Sequence, residues 1–266
     1  MLIIGERLNT ARKKVLEAFQ KRDERFILDE GFRQKQAGAA CLDLNAAGLM
    51  GQETEVLRWA IPRLQKDLGI PISVDTPSPG AMEAGLAVHQ GKAFLNSLTA
   101  ETGKMNQLLP LIREFRPRII VLCLDDQGLL RTPELILKCA DKLGNLLLTN
   151  GSLPEDIFID SGARPLAVDP LAPSLFLESL AEIKRNLPGL KTIAGLSNVS
   201  FALPGRDLLE GTFLTLALER GLDALICDPL ARDFLASYLS FQAIAGNDPH
   251  LEAYLKIHKR KPDEDT

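Results

Sequence analysis

The sequence predicts a single (β/α)8 barrel, an α/β TIM barrel spanning residues 1–266. Three observations lead there. Eight short apolar runs alternate with longer amphipathic stretches along the chain. The runs lack polar alternation, which suits parallel strands buried on both faces. The 266 residues match the roughly 250 that one such barrel uses, and no linker or low-complexity segment marks a boundary.

The predicted strands are 2–4, 40–44, 72–74, 93–95, 119–124, 157–159, 192–194 and 224–227. Between the first two, residues 12–36 read as one long charged helix with an apolar stripe. Residues 53–67 repeat Leu and Ile at helical spacing. Thr132 is a good N-cap, with Pro133 at the first helical position and Glu134 in the first turn. Gly144 is the expected stop of that helix. Residues 173–185, 207–219 and 231–243 follow the same logic, and Asp248-Pro249 opens a last helix. An open doubly wound sheet is the other fold for such alternation. It would carry G-x-G-x-x-G after an early strand, whereas Gly5-Glu6-Arg7-Leu8-Asn9 stands there. No Walker-type phosphate loop occurs either.

Composition narrows the function. Hydrophobic residues make up 45% and charged residues 25%, a globular balance. The net charge of -4 gives no basic footprint for nucleic acid. His258-Lys259-Arg260-Lys261 is followed by Asp263, Glu264 and Asp265, and reads as a solvated tail. Cys41, Cys123, Cys139 and Cys227 form no C-x-x-C pair, so reduced thiols in a cytoplasmic protein are expected. The start Met1-Leu2-Ile3-Ile4-Gly5-Glu6-Arg7 reads as a strand rather than a signal peptide. No segment reaches the roughly 18 apolar residues of a membrane span.

The chemistry is written at the strand ends, which share one rim in a barrel. In order they carry Glu6 and Asn9, Asp43 and Asn45, Asp75, Asn96, Asp125, Asp160, Asn198 and Asp228. An Asp or Asn after a strand also caps helices and turns. Asp125-Asp126-Gln127-Gly128 reads as a turn and Asp228-Pro229 as a helix start. Asp75, Asn96 and Asp160 instead end tight apolar runs, so their side chains are expected in the barrel mouth. Two carboxylates and an amide, with no Lys or Arg beside them, suit a flat heterocycle bearing ring N–H groups and an exocyclic amine. A carboxylate accepts two parallel N–H bonds from such an edge, and an amide donates or accepts. A metal is not expected, since His89, His250 and His258 lie away from the strand ends. The small residues of Gly195-Leu196-Ser197-Asn198-Val199-Ser200 let a ligand come close to the backbone. Arg206 opposes the dipole of the helix it begins, so it answers to some other group or to solvent.

Together, Ile4-Gly5-Glu6-Arg7-Leu8-Asn9, Leu42-Asp43-Leu44-Asn45, Ser73-Val74-Asp75-Thr76, Asn96-Ser97, Ile159-Asp160 and Gly195-Leu196-Ser197-Asn198-Val199-Ser200 resemble the methyltetrahydrofolate:corrinoid protein methyltransferases of the pterin-binding superfamily. The order of motifs is the same along nearly the whole chain. The resemblance implies that Asp75, Asn96 and Asp160 bind the pterin and that Asn198 approaches N5 of the folate. It implies tetrahydrofolate or 5-methyltetrahydrofolate as substrate, a corrinoid (cobalamin) on a separate protein, a homodimer and no metal of the chain's own. Glu6, Gly195, Ser197 and Arg206 join the expected substrate site. Dihydropteroate synthase, of the same superfamily, fits less well: the early loop is Asn9-Thr10-Ala11-Arg12 and the late strands lack its basic set. Phe201-Ala202-Leu203-Pro204-Gly205 is apolar where the family leads one to expect amides.

Methyl transfer from a tertiary amine needs positive character at N5. Asn198 can stabilise it but cannot be the acid, so the proton comes through water or a carboxylate such as Asp43. The alternatives are a pterin-binding or corrinoid-docking subunit without turnover, or another pterin-dependent enzyme such as dihydropteroate synthase. A sugar-phosphate or aldolase barrel would need a Schiff-base Lys or a phosphate site, and neither is visible.

Overall fold

The computed structural model describes residues 1–231 and 233–258. The run from Lys259 through Lys261 and the acidic residues after it lie outside these. Eight parallel strands close into a barrel: β1 (Leu2–Asn9), β2 (Cys41–Asn45), β3 (Ile72–Asp75), β4 (Phe94–Leu98), β5 (Arg118–Leu122), β8 (Ile157–Asp160), β9 (Lys191–Gly195) and β10 (Ala224–Cys227). Each pairs with its sequence neighbour, and β10 closes on β1 through Leu2 opposite Ala224. All eight predicted strands are present. A two-stranded hairpin, β6 (Leu124–Asp125) and β7 (Gly128–Leu129), follows β5, so the expected turn at 125–128 is there.

The helices correct several expectations. The long helix expected over 12–36 is two, α1 (Lys13–Lys21) and α2 (Glu24–Gln36). Arg22 turns left-handed at φ 54°, and the Asp23 side chain caps the Phe26 N–H at 3.0 Å. Helices α4 (Pro79–Val88) and α5 (Thr102–Phe115) were not foreseen, while α3 (Glu53–Leu68) was. Gly144 does not stop α6 (Pro133–Thr149); a Cβ there would lie 2.8 Å from Leu190 Cδ1, so this glycine serves close packing. Helices α7 (Ala172–Asn186) and α9 (Arg206–Glu219) fall where expected, with the single turn α8 (Leu196–Val199) between them. Asp228-Pro229 makes a turn, its Oδ1 accepting from Leu230 N at 3.0 Å, and α10 begins only at Phe234. The last helix, α11 (Glu252–His258), starts a few residues beyond Asp248, which accepts from Tyr254 N at 3.0 Å.

The strand pleat decides what fills the barrel, because residues two apart face the same side. Ile4, Cys41, Phe94, Ile120, Phe158, Ile193 and Ala224 form an inner apolar plug, with the Phe94 and Phe158 rings 5.3 Å apart. Two positions further along, each strand delivers the next inward residue to the rim. The larger core lies between strands and helices, led by Leu42, Leu44, Ile61, Val74 and Leu225. All four cysteines are buried free thiols. No helix among the described residues is long and apolar enough to cross a membrane.

Candidate active site

Above the plug the barrel opens into a cavity of about 360 Å3. Its wall follows from the pleat. Stepping two residues up from each plug position gives Glu6, Asp43, Asn96, Leu122, Asp160, Gly195 and Ile226, and the same step from Ser73 gives Asp75; all eight line the cavity. Asn9, Ser97, Ser197 and Asn198 complete the polar part of the wall. Asp75, Asn96 and Asp160 therefore share one opening, with Asp43, Glu6, Gly195, Ser197 and Asn198 around them. Arg206 stands apart from this wall. The apolar members Leu122 and Ile226 were missed in the sequence, where only polar strand ends were sought; the two-residue step would have found them.

Hydrogen bonds connect one side of the wall. Asp43 is 2% exposed, and its Oδ1 accepts from Ser73 Oγ at 2.7 Å and from Asn96 Nδ2 at 3.1 Å. Asn45, one pleat step beyond Asp43 and not part of the lining, donates to Asp75 Oδ2 at 2.7 Å. Burial and the neighbouring Asp75 carboxylate push the Asp43 carboxyl well above the ordinary carboxylate range, while bonds from Ser73 and Asn96 oppose this. Asp75 is raised less, by burial, because Asn45 and Asp43 hydrogen-bond its charged form. Of the two, Asp43 holds a proton the more readily. With its N–H2 turned to Asp43, Asn96 leaves its carbonyl oxygen to accept.

Asp160 is pushed up to about 6 by burial, partly offset by the Gly162 N–H, which it accepts at 2.8 Å through Oδ1. Its other oxygen has no partner among the described residues. Glu6, raised by burial, accepts from Ser197 Oγ at 2.9 Å. Asn198 sits on the α8 turn, exposed, with no side-chain hydrogen bond to the described residues. Gly195 makes room for it: a Cβ there would lie 2.7 Å from Asn198 Nδ2. Asn9 Oδ1 caps the Ala11 N–H at 2.8 Å. Asp228 is held by Arg7 at 2.6 Å and Arg12 at 3.1 Å. No Lys, Arg or His lines this cavity among the described residues. The described residues also contain no group of three or more His, Cys, Asp and Glu side chains that could hold a metal ion. Such a wall attracts a neutral ligand edge rich in N–H donors and repels phosphate.

A protein-family model described as pterin binding enzyme matches residues 5–228. The chain belongs to the pterin-binding enzyme family. Over 262 residues it is 30% identical to the methylcorrinoid:tetrahydrofolate methyltransferase of Eubacterium limosum, covering 98% of this chain and 97% of that protein. The resemblance drawn from the strand-end motifs is thereby borne out, and the chain is an enzyme of the kind it named. It is also 28% identical over 239 residues to the methionine synthase of Mycobacterium tuberculosis, of which it spans 20%. Among solved structures, dihydropteroate synthase from Xanthomonas albilineans in complex with 7,8-dihydropteroate superposes with a TM-score of 0.68 at 18% identity, covering 92% of this chain and 93% of that one. That likeness shows the shared barrel fold.

Proposed function

We propose that this enzyme moves a methyl group between N5 of methyltetrahydrofolate and the cobalt of a corrinoid carried by a separate cytoplasmic protein, in either direction. The observation that carries the reading is one cavity in which Asp75, Asn96 and Asp160 present acceptors with no cation beside them. The pterin's ring N–H and exocyclic amine are the donors such a wall fits. Near-full-length similarity to the Eubacterium limosum methyltransferase favours a folate over a bare pterin. The whole chain acts as one pterin-binding barrel domain.

In the forward direction the N5–methyl bond breaks with its electron pair left on nitrogen, and N5 gains a proton. The partner's cobalt supplies the electron pair that takes up the methyl group. Everything else falls to this chain. Asp160 and Asp75 accept from the pterin edge, and the Asn96 carbonyl oxygen accepts from a ring N–H. The Asn198 amide, unbonded to protein, donates to neutral N5 or accepts from N5–H. Asp43, whose carboxyl is pushed well above the ordinary carboxylate range by burial, is the proton reservoir for N5. Gly195 and Ser197 let the ring approach the backbone, and Glu6 holds Ser197.

The chain is further proposed to work as a homodimer. A groove of about 390 Å3 between α9 and α10 is lined by Leu208, Ala236, Phe241 and Ile244. Leu208 and Ile244 are 77% and 88% exposed, a cost that a second copy would remove. Sedimentation giving a monomer at micromolar concentration overturns this.

Calorimetry with methyltetrahydrofolate and a spectroscopic assay with free cob(I)alamin test the main reading. Binding together with methyl transfer is expected. Binding without transfer would mark a pterin-holding subunit, and absence of binding would reject the pterin assignment.

A further inference from the structure

The residue proposed to meet N5 sits on a single helical turn that cannot support itself. Helix α8 is four residues long, far below the ~12–15 at which an isolated helix becomes even marginally stable. No side chain caps its start, and the Asn198 amide makes no bond that would fix it. Its position must come from the residues around it. Ser197 is held on one side, its Oγ donating to Glu6 of β1. On the other side lies a cluster that the proposed mechanism leaves unused. Arg206, the first residue of α9, donates through Nε to Ser200 Oγ at 2.9 Å and through Nη2 to the Ser197 carbonyl at 3.3 Å. The same Nη2 donates to Glu210 Oε1 at 3.1 Å, and the Ser200 hydroxyl also donates to Glu210.

Ser200 is 0% exposed and Glu210 9%. A carboxylate buried to that degree is retained only where it is paired and hydrogen-bonded. Here both partners belong to the segment that begins with Asn198 and ends with Arg206. Arg206, expected from the sequence to touch substrate, is thereby drawn away from the cavity wall. It also begins a helix, where its charge opposes the dipole; Glu210, one turn on, supplies the compensation.

Resting on the function proposed above, we infer that Glu210 is a positioning residue. Acting through Arg206 and Ser200, it clamps the α8 turn so that the Asn198 amide meets the reacting nitrogen. Glu6 and Ser197 form the opposite jaw.

The test is a double-mutant cycle on the full chain, read as methyl transfer from methyltetrahydrofolate to free cob(I)alamin. Glu210→Ala is expected to lower kcat by ~10–100-fold, the scale of a sub-ångström to 1 Å misplacement of a reacting group, with folate affinity by calorimetry little changed. Glu210→Gln, which still accepts from Arg206, is expected to restore most of the rate. In an Asn198→Ala background Glu210→Ala should cost almost nothing more, because coupled residues are not additive. Equal loss in both backgrounds, or a loss confined to folate affinity, overturns the inference. If Glu210→Ala does not fold, Arg206→Lys and Ser200→Ala run through the same cycle with the same criterion. A wild-type protein that transfers no methyl group overturns the functional reading itself, and this inference with it.

Discussion

Asp160→Asn tests the physical basis of the site, because it separates what the carboxylate costs from what it does. The Asp160 carboxyl is raised from an ordinary 3.8 to about 6 by burial. At ~1.4 kcal/mol per tenfold change in proton affinity, the ionised form costs the folded state ~3 kcal/mol at neutral pH. The sign follows from linkage. Between pH 3.8 and about 6 the folded chain binds more protons than the unfolded one. Stability therefore falls as pH rises through that window and levels off above it. Asparagine is neutral throughout, and its Oδ1 can still accept from the Gly162 N–H. The variant should exceed wild type by ~3 kcal/mol at pH 7.5 and approach it near pH 4. Urea unfolding at the two pH values, with unchanged m, measures both gaps. Calorimetry at pH 7.5 should show folate binding weakened by ~1.5–3 kcal/mol, the value of a hydrogen bond to a charged group. Equal midpoints at pH 7.5, or a gap that persists at pH 4, would refute the account of a costly buried charge.

The other perturbations act on the reacting end. Asn198→Ala should lower kcat ~10²–10³-fold, as for removal of one transition-state donor, with folate affinity nearly intact; a normal kcat with weaker binding would contradict its placement at N5. Gly195→Ala puts a methyl group 2.7 Å from Asn198 Nδ2 and should reproduce much of that loss without lowering the melting temperature. Asp43→Asn keeps the acceptors for Ser73 and Asn96 and a donor toward Asp75, so stability should change by less than ~1 kcal/mol while turnover falls. Wild-type turnover in Asp43→Asn would remove Asp43 from the proton path.

Much of this was legible because a parallel barrel writes its site in a simple code. Apolar runs announced all eight strands, and polar residues after six of them announced the rim; Asp125 and Asp228 cap turns instead, and Leu122 and Ile226 fill those rim positions. What the runs do not show is which of two polar residues on one strand stands at the height of the cavity wall. Asp43 lines the cavity while Asn45, one inward step further along β2, supports Asp75; the pleat gives both the same side, and only the height of the plug residue Cys41 in the barrel separates them. The break at Arg22 was obscured by an amphipathic pattern that continues across it, although Asp23 ahead of Glu24 is a readable N-cap. Gly144 looked like a stop because the approach of Leu190 comes from 46 positions away along the chain. The pairing of Asp43 with Asp75 and the capture of Arg206 by Glu210 are tertiary facts; for the second, the spacing of four on a helix was the available sign.

Four carboxyls whose pKa values all lie above the ordinary range share this one cavity: Glu6, Asp43, Asp75 and Asp160. A wall selected for stability alone would not gather them, since burial raises every one of the four. Two remedies are visible. Asp43 holds a proton the more readily and hydrogen-bonds its neighbours, and Asn45, Ser73 and Asn96 spread what remains. Asp160 has neither remedy, having only the Gly162 N–H and one bare oxygen. A ligand that donates hydrogen bonds and carries no negative charge at this end is the complement the proposed pterin edge supplies. The unbonded Asn198 amide lines the same opening from the turn after β9, the strand that pairs with the Asp160 strand β8. A donor-rich ring held by one edge and presented by the other is the geometry that methyl transfer at a ring nitrogen needs.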